Sequence, residues 1–372
     1  MSSVIREKMS IGPLHLKNRI TMAPMFTAYG NDDGTVSEAL LEHYREMGKS
    51  GAAMVVVENA IVDGERSWFG RLLRIDRDDY IEGLAKLARS IKEGGAHAVI
   101  QINHGGRYAA IANPLAPSPI AAFDGPIPEE LTVAQIEEII DKYVAAALRA
   151  KRAGFDAVEV HGATGYLPVQ FLSPRTNKRT DMYGGSLENR MRFGLQLVKA
   201  IMDALGADYP VGYRFMADEW LPDGLQPAES KIYAKELDKL GIAYLSVTAG
   251  VYESMFLEDK LALAAQENYM ADLAGAIKAE VTAPVIAAGR IASAAAAERV
   301  ISSGQADLVG LARILMADPQ WPHRALAGLD GEINKCKNCG TCIGLIMKQR
   351  PIICAAWDHE RKQKYTDLLK NK

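Results

Sequence analysis

"KRAGFDAVEVHG", residues 151 to 162, holds the pattern that decides the fold. A basic helical end runs into Gly154, and a short run of apolar and β-branched residues then closes on a histidine. Glycine at that junction can take the left-handed conformation that ends a helix and turns the chain into a sheet. The same junction recurs in "KSGAAMVVV" (49–57), "EGGAHAVIQ" (93–101), "KLGIAYLSV" (239–247) and "SSGQADLVG" (302–310). Near-continuous apolar strands alternating with amphipathic helices imply parallel strands covered by helices. One such helix is expected in "TVAQIEEIIDKYVAAALRAKRAG" (132–154), which opens on a threonine able to cap it.

Eight strand-like runs can be counted: "RITMAPMF" (19–26), "AAMVVVEN" (52–59), "HAVIQIN" (97–103), "FDAVEVHG" (155–162), "PVGYRFM" (210–216), "AYLSVTAG" (243–250), "APVIAAG" (283–289) and "ADLVGLA" (306–312). Two architectures fit, a closed (β/α)8 TIM barrel or an open doubly wound sheet. The count of eight favours the barrel, and no strand leads into the GxGxxG turn of a dinucleotide-binding open sheet. The expected α/β organisation is a barrel over residues 1–330 with a C-terminal segment, 331–372.

The formal net charge of −3 gives no strong pull toward nucleic acid or an anionic membrane. The N-terminus lacks an apolar signal core, and no apolar run reaches membrane-spanning length, since "AAMVVVENAIV" is broken by Glu58 and Asn59. The expectation is a cytoplasmic protein with a small-molecule substrate and no nucleic-acid or membrane partner, with self-association left open. In that reducing compartment clustered cysteines hold metal or do redox chemistry more often than they form disulfides. The basic tail "ERKQKYTDLLKNK" reads as a solvated helix end.

A barrel of this kind does its chemistry where the strands end. Strand three ends in Gln101, with Asn103 and His104 behind it; strand four ends in His161, with Thr164 and Tyr166 on its loop; strand five carries Arg214. "AAGR" (287–290) and "GLAR" (310–313) put Gly289, Arg290, Gly310 and Arg313 after strands seven and eight, where barrels commonly bind phosphate.

"NRITMAPM" (18–25), "VIQINHGGR" (99–107), "VEVHGATGYLPVQFLSPRTNKRTDMYGGSLENRMRF" (158–193) and the two glycine loops resemble the Old Yellow Enzyme family of FMN-dependent oxidoreductases. The branch they are most similar to is that of 2,4-dienoyl-CoA reductase and trimethylamine dehydrogenase. The resemblance covers nearly the whole chain. It implies that Pro24 and Met25 pack on the isoalloxazine, that Gln101 and Arg214 bind its pyrimidine edge, and that Asn59 joins the cofactor set. It also implies that Gly289, Arg290, Gly310 and Arg313 hold the FMN phosphate. His161 and Thr164 stand where the family binds a substrate carbonyl, and Tyr166 where it donates a proton. Three departures stand out: Thr164 replaces a usual His or Asn, Phe26 replaces a residue that tunes the flavin, and Tyr252 replaces a catalytic histidine of the dienoyl-CoA reductases.

All four cysteines lie in C-x2-C-x2-C-x11-C, as Cys336, Cys339, Cys342 and Cys354. Three closely spaced thiolates on one loop and a fourth on a returning strand or helix suit a 4Fe-4S cubane better than zinc, which more often takes two cysteine pairs. The resemblance adds weight, because the same branch has a similar motif. Radical chemistry with S-adenosylmethionine also joins a barrel to a cluster, but with another spacing placed near the barrel's start.

A cluster transfers single electrons, so the expectation is a separate electron partner, a ferredoxin or a flavoprotein, with NAD(P)H as a further donor. Larger relatives carry FAD and pyridine-nucleotide domains beyond the cluster, and these are not expected within the 372 residues. The leading reading is an ene-reductase for an α,β-unsaturated carbonyl compound or an enoyl thioester. The alternative is an amine dehydrogenase or N-demethylase that passes electrons outward. An RNA-modifying flavin barrel would call for a basic face, and an electron-carrying subunit would not need His161 and Tyr166. Specificity is expected in the loops "VDGERSWFGRLLRIDRDDY" (62–80) and "NPLAPSPIAAFDGPIPEE" (113–130).

Overall fold

Eight parallel strands close on themselves in the computed structural model, which describes residues 3–67 and 70–370. They are β1 (Ile20–Met22), β2 (Met54–Ile61), β3 (His97–Asn103), β4 (Ala157–Gly162), β5 (Val211–Asp218), β6 (Tyr244–Ala249), β7 (Val285–Ala287) and β8 (Leu308–Leu311). Each pairs with the next, and β8 pairs back onto β1 through Val309 and Ile20. All eight runs expected from the sequence are strands, and closure excludes the open sheet. Trp68 and Phe69, in the first of the two specificity loops, lie outside the described residues, as do Asn371 and Lys372 of the tail.

The helices outside the barrel include α1 (Glu38–Gly48), α2 (Ile81–Glu93), α3 (Val133–Arg152), α4 (Leu187–Leu205), α5 (Pro227–Leu240), α6 (Ala271–Lys278), α7 (Ala294–Ser302) and α8 (Trp321–Ala327). At the head of α3, Thr132 and Gln135 form a reciprocal capping box, which satisfies two otherwise orphaned backbone donors. The five junction glycines, Gly51, Gly95, Gly154, Gly241 and Gly304, all hold φ between 77° and 93°.

The strand period of two sorts the core. On β2, Val55 and Val57 pack outward under the helices while Met54 and Val56 point inward; on β4, Val158 and Val160 pack outward and Ala157 inward. The hairpin Met9–Ile11 and Leu14–Leu16 adds Ile11, Leu14 and Leu16 to the inner cluster, against residues at the starts of the strands. That plugs the N-terminal end of the barrel with apolar side chains. The same alternation then delivers polar Gln101, Glu159, His161, Arg214 and Ser246 to the interior nearer the open end.

The tail is not a solvated helix end. Helix α9 (His359–Lys370) packs on α1, with Tyr365 fully buried. Its ring stacks on Tyr29 at 5.4 Å and lies 4.9 Å from Trp357, and its hydroxyl donates to Glu46 Oε2 at 2.9 Å. Arg361 and Lys364 add ion pairs to Glu46 and Glu42. Arg361 and Lys364 lie over the Tyr365 ring on the same face, so charge in the sequence hid a contact face with a single aromatic at its centre. Ile352, Trp357 and Tyr365 thus join the same hydrophobic cluster as the barrel helices. Among the described residues no helix is long and apolar enough to cross a membrane.

Candidate active site

A cavity of about 180 Å³ opens at the C-terminal ends of the strands. Its wall includes Pro24 after β1, Arg214 from β5, Gly289 and Arg290 after β7, and Gly310 and Arg313 from β8 and its loop, six of the residues singled out by sequence. Gly289 holds φ at 106°, and a Cβ there would press on Met270 at 3.0 Å, so both conformation and space call for glycine. Thr248, Tyr269 and Met270 also line the cavity, and no motif marks them in the sequence.

Arg214 Nη1 donates to Ser246 Oγ at 2.7 Å. Burial lowers the pKa of Arg214, and the nearby Glu159 carboxylate works against that. Glu159, itself fully buried, accepts from Gln101 Nε2 at 2.8 Å and from the Tyr244 hydroxyl at 3.0 Å. Burial pushes its carboxyl up, while Arg214 and these two donors pull it down. Gln101, Glu159 and Arg214 therefore form one charged and hydrogen-bonded layer across three neighbouring strands. Sequence reading found Gln101 and Arg214 and passed over Glu159, which looks like one more strand residue in "VEVHG".

His161 pairs with Arg214 in the β4–β5 register. Burial, and then Arg214, hold its imidazole well below the ordinary histidine pKa, and its Nδ1 has no hydrogen-bond partner. A neutral imidazole with a free nitrogen can orient toward a ligand oxygen. The Tyr166 ring lies edge-on to it at 4.7 Å. Tyr166 and Tyr252 bring their hydroxyl oxygens within 3.0 Å of each other. Burial, with Tyr252 beside it, raises the Tyr166 phenol well above 10, so it keeps its proton at neutral pH; an Asn59 hydrogen bond opposes this shift. Asn59 thus sits beside the tyrosine, and it is not among the cavity-lining residues.

Thr164 holds φ at 60°, a strained conformation for a β-branched residue, on the loop between His161 and Tyr166. Next to it, a Cβ on Gly165 would meet the Tyr108 ring at 2.5 Å, so the glycine admits that ring. Tyr108 makes edge-to-face contacts with both Tyr166 and Tyr252. Its hydroxyl and Arg107 both donate to Glu253, which fastens the β3 loop to the β6 loop over the aromatic trio. Sequence reading named none of Arg107, Tyr108 and Glu253.

The four cysteines are free thiols around a second, adjoining and tighter cavity, whose wall also includes Met25, Arg313, Met316 and Asn338. Cys336 and Cys339 lie in an irregular loop, and Cys342 in the first turn of the short helix Thr341–Ile346. Cys354 is on neither a strand nor a helix, contrary to expectation. It lies in an extended segment pinned by Ile352 N donating to Thr27 O at 3.1 Å and by the Tyr29 hydroxyl donating to Ile352 O at 2.6 Å. Burial pushes the Cys342 and Cys354 thiols up, and neighbouring cysteines add to this, whereas Thr341 pulls Cys339 down. Among the described residues no three His, Cys, Asp or Glu side chains are grouped as ligands of a single metal ion.

Residues 7–332 match the NADH:flavin oxidoreductase / NADH oxidase family. The chain belongs to that family. It is 44% identical over 344 residues to an NADH oxidase of Thermoanaerobacter brockii, a match that takes in 90% of this chain and 52% of that protein. Among solved structures, 2-naphthoyl-CoA reductase superposes with a TM-score of 0.92 at 28% identity, covering 98% of this chain and 58% of the other. Histamine dehydrogenase from Rhizobium superposes with a TM-score of 0.86 at 29% identity, covering 95% and 52%. The chain thus spans about half the length of the first curated relatives it matches. As a flavin oxidoreductase barrel, it has the cavity of Arg214, Arg290 and Arg313 at the rim where this fold binds its ligands.

Proposed function

We propose that this chain is an FMN-dependent ene-reductase unit, residues 1–330 forming the flavin barrel and 331–372 a segment that holds a 4Fe-4S cluster. The observation that carries this reading is the Tyr166–Tyr252 hydroxyl pair beside a neutral His161 with an unpartnered Nδ1, which is joined to the cavity only through its strand neighbour Arg214. The lining suits the cofactor: Arg290 and Arg313 would face its phosphate and Arg214, with Gln101 behind it in the same polar layer, its pyrimidine edge, while Pro24 borders the cavity and Met25 lies on the wall of the second one. FMN bound there supplies a hydride to the β carbon of an activated alkene.

The side chains supply the rest. His161 donates a hydrogen bond to the substrate carbonyl, joined by the Thr164 hydroxyl from its strained loop, and draws electron density from the conjugated double bond. Tyr166 holds the proton for the α carbon on its phenol oxygen, and Tyr252 supports that oxygen with a hydrogen bond. Arg107, Tyr108 and Glu253 close the rim and exclude water. The substrate class is an α,β-unsaturated carbonyl compound or enoyl thioester, in keeping with the similarity to 2-naphthoyl-CoA reductase.

The four-thiol lining of the second cavity supports a cubane. Four thiols surround a space instead of converging on a point, which suits ligands that each bind a different iron. A cluster on Cys336, Cys339, Cys342 and Cys354 would supply electrons one at a time from a ferredoxin or flavoprotein partner, whereas NAD(P)H would reduce the flavin directly by hydride. A second reading, amine oxidation with electrons leaving through the cluster, draws on the aromatic trio and on the similarity to histamine dehydrogenase. The trio could face an ammonium. Glu253, its nearest anion, is already bonded to Arg107 and Tyr108.

Anaerobic purification with an absorbance spectrum and iron and sulfide analysis tests both cofactors. Enones, enoyl thioesters and amines then separate the directions. Reduced flavin reoxidised by an enone supports the ene-reductase, and oxidised flavin bleached by an amine, with no reoxidation by any enone, overturns it.

A further inference from the structure

Arg313, Cys336 and Asn338 line both cavities, so they form the wall between the phosphate end of one and the thiols of the other. Arg313 Nη1 donates to Asn338 Oδ1 at 2.7 Å. Asn338, between Cys336 and Cys339, holds φ at 51°, a left-handed conformation that asparagine tolerates better than most residues. Both its backbone and its side chain are therefore specified by this position. We propose that Asn338 is a positioning residue that ties the Arg313 guanidinium to the cysteine loop, so that filling the phosphate end of the first cavity and filling the thiol-lined cavity favour each other. The inference rests on the FMN and cluster readings above and adds a thermodynamic link between them.

A guanidinium has five donors in a rigid fork, so one can be committed to Asn338 while others face an anion. Without Asn338, Arg313 would have many rotamers to lose on meeting a phosphate; with it, the side chain is ordered beforehand. The effect also runs the other way. An Arg313 held by phosphate holds Asn338, and Asn338 holds the backbone that presents Cys336 and Cys339. Coupling of this kind is reciprocal by necessity.

The test uses the full chain, purified anaerobically, with its flavin removed and then returned. Iron release to a ferrous chelator is followed with saturating FMN, with riboflavin and with neither. FMN is expected to slow release on the order of fivefold to tenfold, and riboflavin, which lacks the phosphate, much less. Asn338→Gly keeps the left-handed backbone and removes the amide. It should abolish the protection and weaken FMN binding by a similar factor, as read from quenching of flavin fluorescence. Asn338→Asp keeps the acceptor oxygen and should retain protection at saturating FMN, a rescue that a merely structural role would not give. Equal release with and without FMN in the wild-type protein, or full protection in Asn338→Gly, overturns the link. If Asn338→Gly does not fold, the comparison of FMN with riboflavin on the wild-type protein still decides. A protein that takes up no iron, or no FMN, overturns the corresponding cofactor reading and the link with it, and is told apart by the metal and flavin content alone.

Discussion

The hydroxyl oxygens of Tyr166 and Tyr252 stand 3.0 Å apart, with the His161 imidazole against the Tyr166 ring on its other side. Two phenols that share a hydrogen bond are unequal in use, because only one can face the substrate carbon. Tyr166→Phe is expected to slow reoxidation of reduced flavin by an enone about 10²- to 10⁴-fold, the usual worth of a positioned acid. The preceding reduction of the flavin should be unchanged. Tyr252→Phe should cost about tenfold in the same step, the loss of one hydrogen bond. Anaerobic stopped-flow of the two half-reactions measures both. Since burial holds the Tyr166 phenol above its ordinary value, its ionisation should not limit the rate through pH 9. Unchanged reoxidation in Tyr166→Phe would remove the assigned proton donor.

Arg214 and Glu159 make opposite contributions to one layer of the barrel. In the proposed FMN site Arg214 would bring a cation to the edge where a reduced flavin gathers negative charge, and Glu159 offsets part of that cation. Arg214→Gln should therefore lower the flavin midpoint potential and Glu159→Gln should raise it. Each change is expected at roughly 30 mV or more, a tenfold shift in the two-electron equilibrium. A spectrophotometric redox titration reads the sign directly. Shifts of the same sign in both variants would contradict the opposed roles.

The barrel was legible because it is written in local signals. A run of apolar and β-branched residues marks each of the eight strands, and a left-handed glycine precedes five of them. Five of the cavity-lining residues were legible because strand ends have fixed places in a closed barrel, and Pro24 through the family resemblance. What escaped depends on contacts between distant segments. Glu159 is one of three polar residues that meet across β3, β4 and β5, and Glu253 acquires meaning only through Arg107 and Tyr108, some 145 positions away. Tyr365 looked solvated because its burial depends on Tyr29 and Trp357, which no periodicity within α9 announces.

Glu58 lies where β2 bulges between Val57 and Ala60, and it is almost wholly buried. Burial pushes its carboxyl up to about 8, against hydrogen bonds from Thr27 and Tyr44. Its folded pKa thus lies above its unfolded value near 4.5, so between those values the folded protein holds a proton that the unfolded chain has lost. By linkage, its contribution to stability is fully present below 4.5 and is lost as pH rises through 8, by at most about 1.4 kcal/mol per pH unit. Buried His43, pushed down to about 3, acts in the opposite sense, costing stability as pH falls below 6.5. Glu58→Gln imitates the protonated acid, so the difference between variant and wild type isolates the carboxyl. Urea unfolding should find the variant more stable at pH 8 and nearly equal at pH 5. A difference that does not grow between those pH values would mean that Glu58 is ionised in the folded protein.

Tyr365 is the one residue of α9 buried outright, and it closes a stack of Tyr29, Tyr365 and Trp357. Tyr29 in turn holds the backbone at Ile352, two residues before Cys354, so the stack anchors the fourth thiol as well as the helix. Removing the ring leaves a cavity under α9 and frees Arg361 and Lys364 to leave Glu46. Tyr365→Ala should therefore cost about 3–5 kcal/mol in urea unfolding, in line with large aromatic deletions. Tyr365→Phe, which loses only the bond to Glu46, should cost roughly 1 kcal/mol. The alanine variant should also release iron to a chelator faster than the phenylalanine variant, because only the former loosens the segment that carries Cys354. A Tyr365→Ala protein within roughly 0.5 kcal/mol of wild type, the range of an ordinary surface change, would mean that α9 contributes little to holding the cysteine segment on the barrel.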